Sequence, residues 1–193
     1  GGSIAGLLAA RVLTDYFEQV TIVERDCLPT KPEARQGVPQ AHHFHLLLGR
    51  GLEILEQLFP NFVTAVTAAG AVELDWAQDS LILCSAGWYP RFHSGLKTIT
   101  CSRNLLEWSI RQRLIAPNRV IFAPGCVVTG LIAESNKAGI AGVQMRSRLG
   151  EKIEELHADL VVDASGRNSL APRWLEAIGY PAPTETKVDS FLG

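Results

Sequence analysis

The sequence predicts an α/β fold, a doubly wound sheet of the Rossmann type carrying an antiparallel β-meander, on three observations. A small-residue turn, Gly1-Gly2-Ser3-Ile4-Ala5-Gly6, feeds an apolar helical stretch and then the strand Val20-Thr21-Ile22-Val23-Glu24, the order found where helices cross over between parallel strands. A second apolar run, Leu160-Val161-Val162, enters a second small-residue turn at Ala164-Ser165-Gly166. Between the two, residues 120–157 alternate short apolar runs with turn residues, the pattern of a meander.

The elements follow in order. Residues 4–17 predict a helix, with Leu7, Leu8, Val12, Leu13 and Tyr16 at helical spacing and Asp15 and Glu18 toward solvent. Residues 27–40 carry three prolines and Gly37 among mixed charges and predict a long surface connection. Residues 42–58 return to helical spacing, and Pro60 opens a second short helix running toward Gly70. Short strands are expected at 72–74, 81–84 and 97–101, separated by a Gly87-Trp88-Tyr89-Pro90 loop and a Ser94-Gly95 turn, as a small sheet inserted at about 71–101. Ser102 is placed to cap an amphipathic helix over 103–114, stopped by Pro117-Asn118. Antiparallel strands are expected at 120–122, 127–133, 140–146 and 153–157, then a buried strand at 159–163, a helix at 171–178 and a strand over 187–192. The organisation expected is one nucleotide-binding domain over 1–183, with 184–193 beginning a strand-rich region.

Composition narrows the function classes. With 193 residues, 47% of them hydrophobic, 20% charged and a net charge of −2, the chain is long enough to bury a sizeable core and has no basic patch to bind nucleic acid. No apolar run approaches the ~20 residues of a membrane helix, and no signal peptide precedes Gly1. The four cysteines lack metal or redox spacing, so free, mostly buried thiols and a cytoplasmic location are expected.

The chemistry lies in the first turn. Gly1 allows a tight turn, small Ser3 lets backbone approach a pyrophosphate, and Gly6 lets helix and strand pack closely. Gly2, Ile4 and Ala5 complete the turn, and the helix behind it aims unpaired N–H groups at phosphate. Glu24, eighteen residues after Gly6 at a strand end, is placed to accept hydrogen bonds from an unphosphorylated adenosine ribose. His42, His43 and His45 have no Cys or carboxylate in ligand spacing, so no metal is expected. No serine has the G-x-S-x-G setting of a hydrolase, and the four tryptophans are scattered. No side chain stands out as a general acid or base, which suits a protein whose cofactor carries the reaction.

Four stretches in this order resemble the FAD-dependent monooxygenases of the para-hydroxybenzoate hydroxylase type, closest to their polyether- and squalene-epoxidase-like members. They are GGSIAGLLAARVL at the start with TIVERD after it, RQGVPQAHHFHLLLGRGLEILEQLFP from Arg35, SRNLLEWSIRQRL from Ser102, and DLVVDASGRNSLAPRWLEAIGYPAP from Asp159. The resemblance implies that residues 1–6 surround an FAD pyrophosphate, and that Glu24, beside Arg25, holds the ribose. It further implies that Arg103 reaches FAD phosphate or ribityl oxygens, that Arg35 stands near flavin and nicotinamide, and that Asp163 and Gly166 belong to the second cofactor turn. The activity implied is transfer of one oxygen atom from O2 to an apolar small molecule, with NADPH or NADH as reductant.

The family's second motif ordinarily reads Asp-Gly; here Asp163-Ala164-Ser165-Gly166-Arg167 takes a form also seen in flavin-dependent halogenases and geranylgeranyl reductases. That departure keeps isoprenoid reduction and halogenation open beside oxygenation, although the Trp-x-Trp-x-Ile-Pro signature of tryptophan halogenases is not found. A catalytically silent nucleotide-binding module is the reading from another class. Because the glycine turn begins at residue 1, with no strand before it and no Met, a fragment is expected, unable alone to hold FAD tightly or to turn over.

Overall fold

The computed structural model describes residues 1–188 apart from 44, 46, 117, 137 and 187. Helix α1 (Ile4–Leu13) leads to strand β1 (Val20–Glu24), and a 3-10 turn at Pro39–His42 precedes α2 (Gly49–Leu58) and α3 (Phe62–Ala68). There follow β2 (Val72–Asp75), α4 (Trp76–Asp79), β3 (Leu83–Cys84), β4 (Gly87–Trp88) and β5 (Lys97–Thr100). Helix α5 (Arg103–Ile115) then leads to β6 (Val120–Pro124), β7 (Cys126–Ala133), β8 (Ile140–Ser147), β9 (Ile153–His157) and α6 (Ala171–Ala177).

One apolar cluster ties the first two thirds together. Leu7 and Ala10 of α1, Ile22 of β1, Leu52 and Leu55 of α2, Phe62 and Val66 of α3, Ile99 of β5, and Ile110 and Leu114 of α5 meet in it. Phe59 and Phe62 contribute tilted rings with centroids 6.2 Å apart, an arrangement that aromatic quadrupoles favour. The buried stripe of α1 is Leu7 and Ala10, continued by the C-cap Thr14, at i, i+3 and i+7. Val12 and Tyr16 fall off that stripe and are exposed, and the helix ends at Leu13 rather than 17.

Sheet topology departs from expectation at β6. Strand β6 pairs in parallel with β1, from Val20 opposite Val120 to Glu24 opposite Pro124, and does not open the meander. The reason is α5: a helical crossover returns the chain to the sheet in the direction it left, so the strand after it is parallel. The meander is β7-β8-β9 alone. Residues 159–163, expected as a buried strand, pair with no strand among the described residues, and Leu160 and Val162 are half exposed.

Smaller corrections have local causes. The helix expected over 42–58 begins only at Gly49, because Pro39 nucleates a separate 3-10 turn and His43 leaves it with extended backbone; Phe44 and Leu46 lie outside the described residues. The inserted region is two separate two-stranded ladders, β2-β5 and β3-β4, with Gly87 and Trp88 in a strand where a loop was expected. The second short helix starts at Phe62, after Asn61 adopts the left-handed conformation. The connection 27–40 is not simply surface, since Val38 and the Arg35 side chain turn inward. The cysteines are free but not buried: Cys27 and Cys84 are exposed, and Cys101 and Cys126 are half-buried. The strand expected over 187–192 and most of 184–193 lie outside the described residues, as does Pro117.

Candidate functional site

The glycine turn is close-packed because no side chain has room in it. A Cβ on Gly6 would overlap the Gly1 carbonyl oxygen, and one on Gly1 would overlap the Ala164 carbonyl oxygen. On Gly2 it would lie 3.2 Å from the Glu24 carboxylate. Ser3 occupies the N-cap position of α1 with extended backbone, yet its side chain makes no capping bond. Its hydroxyl donates instead to Glu107 Oε2 at 2.7 Å.

Glu24 shares the buried face of β1 with Ile22, two residues before it, and this turns its carboxylate toward the glycine turn. Oε2 accepts the Gly2 N–H at 2.6 Å and Oε1 accepts the Asp26 N–H at 2.9 Å. Arg35 lies 3.2 Å from Glu24 Oε1, donates to Asp26 Oδ2 at 3.0 Å, and grips Glu107 Oε1 through Nε and Nη2 at 3.0 and 2.9 Å. Asp26 also accepts the Gly37 N–H at 2.6 Å. Arg103 closes the ring, donating from Nη2 to Ser3 Oγ at 2.9 Å with Glu107 Oε2 at 3.7 Å. Three carboxylates thus face two guanidinium groups in a nearly dry pocket. Burial alone would lower the pKa of Arg35, but Glu107 and Glu24 outweigh it and hold the guanidinium above its ordinary value.

Helix α5 supplies this polar face. Arg103, Glu107 and Arg111 recur every four residues, and the stripe packs on the connection after β1, where Arg111 donates to the Pro29 carbonyl and Trp108 Nε1 to the Thr30 carbonyl at 2.8 Å. Ser102 caps the helix, its hydroxyl accepting the Leu105 N–H at 3.1 Å. Arg103 Nε is buried and has no hydrogen-bond partner.

The second turn stands beside Gly1. Asp163 accepts the Ser165 N–H at 2.8 Å and the Ser165 hydroxyl at 2.6 Å, and the Ser169 hydroxyl also donates to it. Burial opposes its ionisation, yet these bonds from Ser165 and Ser169 hold the carboxyl below its ordinary value. Gly166 has φ +88, a left-handed conformation that favours glycine. Residues 1–6, Glu24, Arg35, Arg103 and Asp163 therefore converge, whereas Arg25 is exposed at the strand end. Ala5 is exposed and Ile4 half-buried at the start of α1.

No family model matches the chain. It is 39% identical over 197 residues to Protein Rv3254 of Mycobacterium tuberculosis, an alignment covering 98% of the chain and 41% of that relative. The chain thus spans about two fifths of the relative's length. Among solved structures it is similar to a flavoprotein/dehydrogenase from Cytophaga hutchinsonii, with TM-score 0.60 and 21% identity over 91% of this chain and 40% of the other. It is also similar to the flavin-dependent brominase Bmp2, with TM-score 0.58 and 17% identity over 88% and 37% of the two chains.

The chain shares its fold with these solved structures. In that fold the sequence reading overlooked Glu107, which joins Ser3, Arg35 and Arg103, and Asp26, which anchors Arg35 and Gly37. A signal for Glu107 existed, because Arg103 and Glu107 are four apart on one helix. For Asp26 only its nearness to Glu24 pointed inward. Among the described residues no three His, Cys, Asp or Glu side chains gather as metal ligands, and no helix is long and apolar enough to cross a membrane.

Proposed function

We propose that this chain is the FAD-binding part of an oxidoreductase, an NAD(P)H-dependent monooxygenase or epoxidase acting on an apolar small molecule. The observation that carries the reading is the convergence of the tightly packed glycine turn, the helix start behind it, Glu24 and Arg103 on one place. The residues fit the group. Arg103 Nε is a buried donor without an acceptor, and such a group is costly unless an anion or polar ligand meets it. Gly1, Gly2 and Gly6 carry no Cβ, so the turn packs its backbone directly against Ala164 and Glu24.

In this reading Gly1 to Gly6 and the start of α1 hold the pyrophosphate, Glu24 orients the adenosine ribose, and Arg103 donates to a phosphate or ribityl oxygen. Arg35, bound to three carboxylates, keeps Glu24 and Glu107 ionised and in place; its position favours this role over direct contact with nicotinamide. FAD would supply the electron transfer and oxygen chemistry that no side chain here offers.

Protein purified from its full reading frame is expected to retain FAD through dialysis and to oxidise NADH or NADPH with uptake of O2. Replacing Arg103 with Ala removes a charge-assisted hydrogen bond worth about 1.5–3 kcal/mol and should weaken FAD binding about 10- to 150-fold. Colourless protein that takes up no FAD, or unchanged affinity in that variant, would overturn the reading. A second reading, halogenation or reduction of an isoprenoid double bond, is favoured by the Asp163-Ser165 turn and by the likeness to a brominase. Halide-dependent product formation, or NAD(P)H oxidation without O2, would select it, and FAD binding with no oxidation of NAD(P)H would mark a silent module.

A further inference from the structure

Ser3 stands between two opposite charges that its own element does not supply. At the N-cap of a helix a serine hydroxyl ordinarily accepts an N–H of the first turn, but Ser3 makes no such bond to α1. Its hydroxyl donates to Glu107 Oε2 at 2.7 Å and accepts from Arg103 Nη2 at 2.9 Å. Chemistry fixes the direction of both bonds, since a guanidinium only donates and an ionised carboxylate only accepts. Arg103 and Glu107 are four apart on α5, a spacing at which opposite charges can meet directly, yet Nη2 and Oε2 stay 3.7 Å apart. Glu107 is held from its other side, because Oε1 accepts both Nε and Nη2 of Arg35 at 3.0 and 2.9 Å. Arg103 is therefore the partner that would move if the pair closed, and the Ser3 hydroxyl is the group between them.

We propose that Ser3 is a positioning residue: its hydroxyl holds the Arg103 guanidinium off Glu107 and available to an anionic oxygen of the cofactor, and is not itself a ligand of that oxygen. A hydroxyl has one proton to donate, and here the buried Glu107 carboxylate takes it. What an anion at the turn can meet is the Arg103 Nε–H, buried and without a partner, and the N–H groups at the start of α1. Without the hydroxyl the two charges close into a direct ion pair, which draws the guanidinium toward Glu107 and away from the cofactor. Glycine or alanine at position 3 would equally satisfy the need for a small residue in the turn, so size alone does not account for serine. Given the flavin reading above, on which this assignment rests, the hydroxyl divides the work: Glu107 and Ser3 set the guanidinium, and Arg103 binds.

Variants made in the full reading frame test this, with FAD binding read by quenching of flavin fluorescence. Ser3→Ala should weaken FAD binding about fivefold or more, and Ser3→Thr, which keeps a hydroxyl, should weaken it much less. In an Arg103→Ala background Ser3→Ala should change affinity by less than about twofold, because the group it positions is gone. A loss of the same size in both backgrounds would mean that the hydroxyl meets the cofactor itself, and no loss in either would mean that it positions nothing; both overturn the proposal. A crystal structure of nucleotide-free Ser3→Ala gives a readout that needs no FAD. There Arg103 Nη2 should close on Glu107 Oε2 from 3.7 Å to about 2.8 Å, and an unchanged separation would overturn the proposal. Wild-type protein that takes up no FAD would sink the flavin reading, and this distance would then decide by itself whether Ser3 holds the two charges apart.

Discussion

At the residue scale the site is held by buried charge, and Arg35 is its centre. Its side chain is 6% exposed and faces Glu24, Asp26 and Glu107, each as dry as itself. Removing one partner of such a group leaves uncompensated buried charge, typically at a cost of about 3–5 kcal/mol. Arg35→Ala should therefore lower the unfolding free energy by about that amount in urea denaturation; a loss below about 1 kcal/mol would mean the carboxylates are solvated in solution. Asp75 is a second anionic node. Its carboxylate accepts from Ala77 N, Gln78 N, Ser94 N, Ser94 Oγ and Gly95 N, with His93 Nδ1 at 3.1 Å. The Ser94 hydroxyl foremost, with the backbone N–H groups, outweighs burial and holds its carboxyl well below the usual carboxylate range. A folded pKa below the unfolded value of about 3.9 gives stability that is complete above that value and lost as pH falls below it. The Tm difference between the wild type and Asp75→Asn should thus be largest near neutrality and shrink below about pH 4; a difference constant from pH 7 to 2.5 would contradict this assignment.

At the element scale, periodic segments with a visible stop were legible. Strand β1 lies where its apolar run and terminal acid put it, and α5 begins at its serine cap because Ser102 satisfies an N–H the helix leaves unpaired. Ser102→Ala should cost about 0.5–2 kcal/mol, a Tm decrease of a few degrees, and an unchanged Tm would show the cap bond to be redundant. Illegible were the features set by distant partners. Val120 to Phe122 alternate no differently from the meander strands, and only the return through α5 makes β6 parallel. The Gly87-Trp88 strand is two residues long and exists because Leu83 and Cys84 pair with it. In the site, the glycine turn and Glu24 could be read from local spacing, whereas Arg35 lies seventy-two residues from the Glu107 it grips. No local periodicity records such a pair.

At the scale of the whole molecule, apolar packing is divided. The main cluster joins α1, β1, α2, α3, β5, α5 and β6, and takes no buried residue from the meander, whose Val143 lies outside it. Between the two bodies of packing runs a groove along β1, walled by Val20 to Val23 on one side and floored by Val128, Leu131 and Val143 on the other. Local opening follows contiguous packing units, so the two should open separately. Ile110, fully buried, anchors the main cluster, and Ile110→Ala should cost about 2–5 kcal/mol there. Val143→Ala removes two methyl groups of a nearly buried side chain, at roughly 0.8 kcal/mol each before any cavity cost. Native-state hydrogen exchange on the two variants separates the cases. Val143→Ala should speed exchange in β7, β8 and β9 while leaving α5 near its wild-type rate, and Ile110→Ala should speed α1 and α5 most. Uniform acceleration in both variants would mean that the meander and the helical cluster unfold as one.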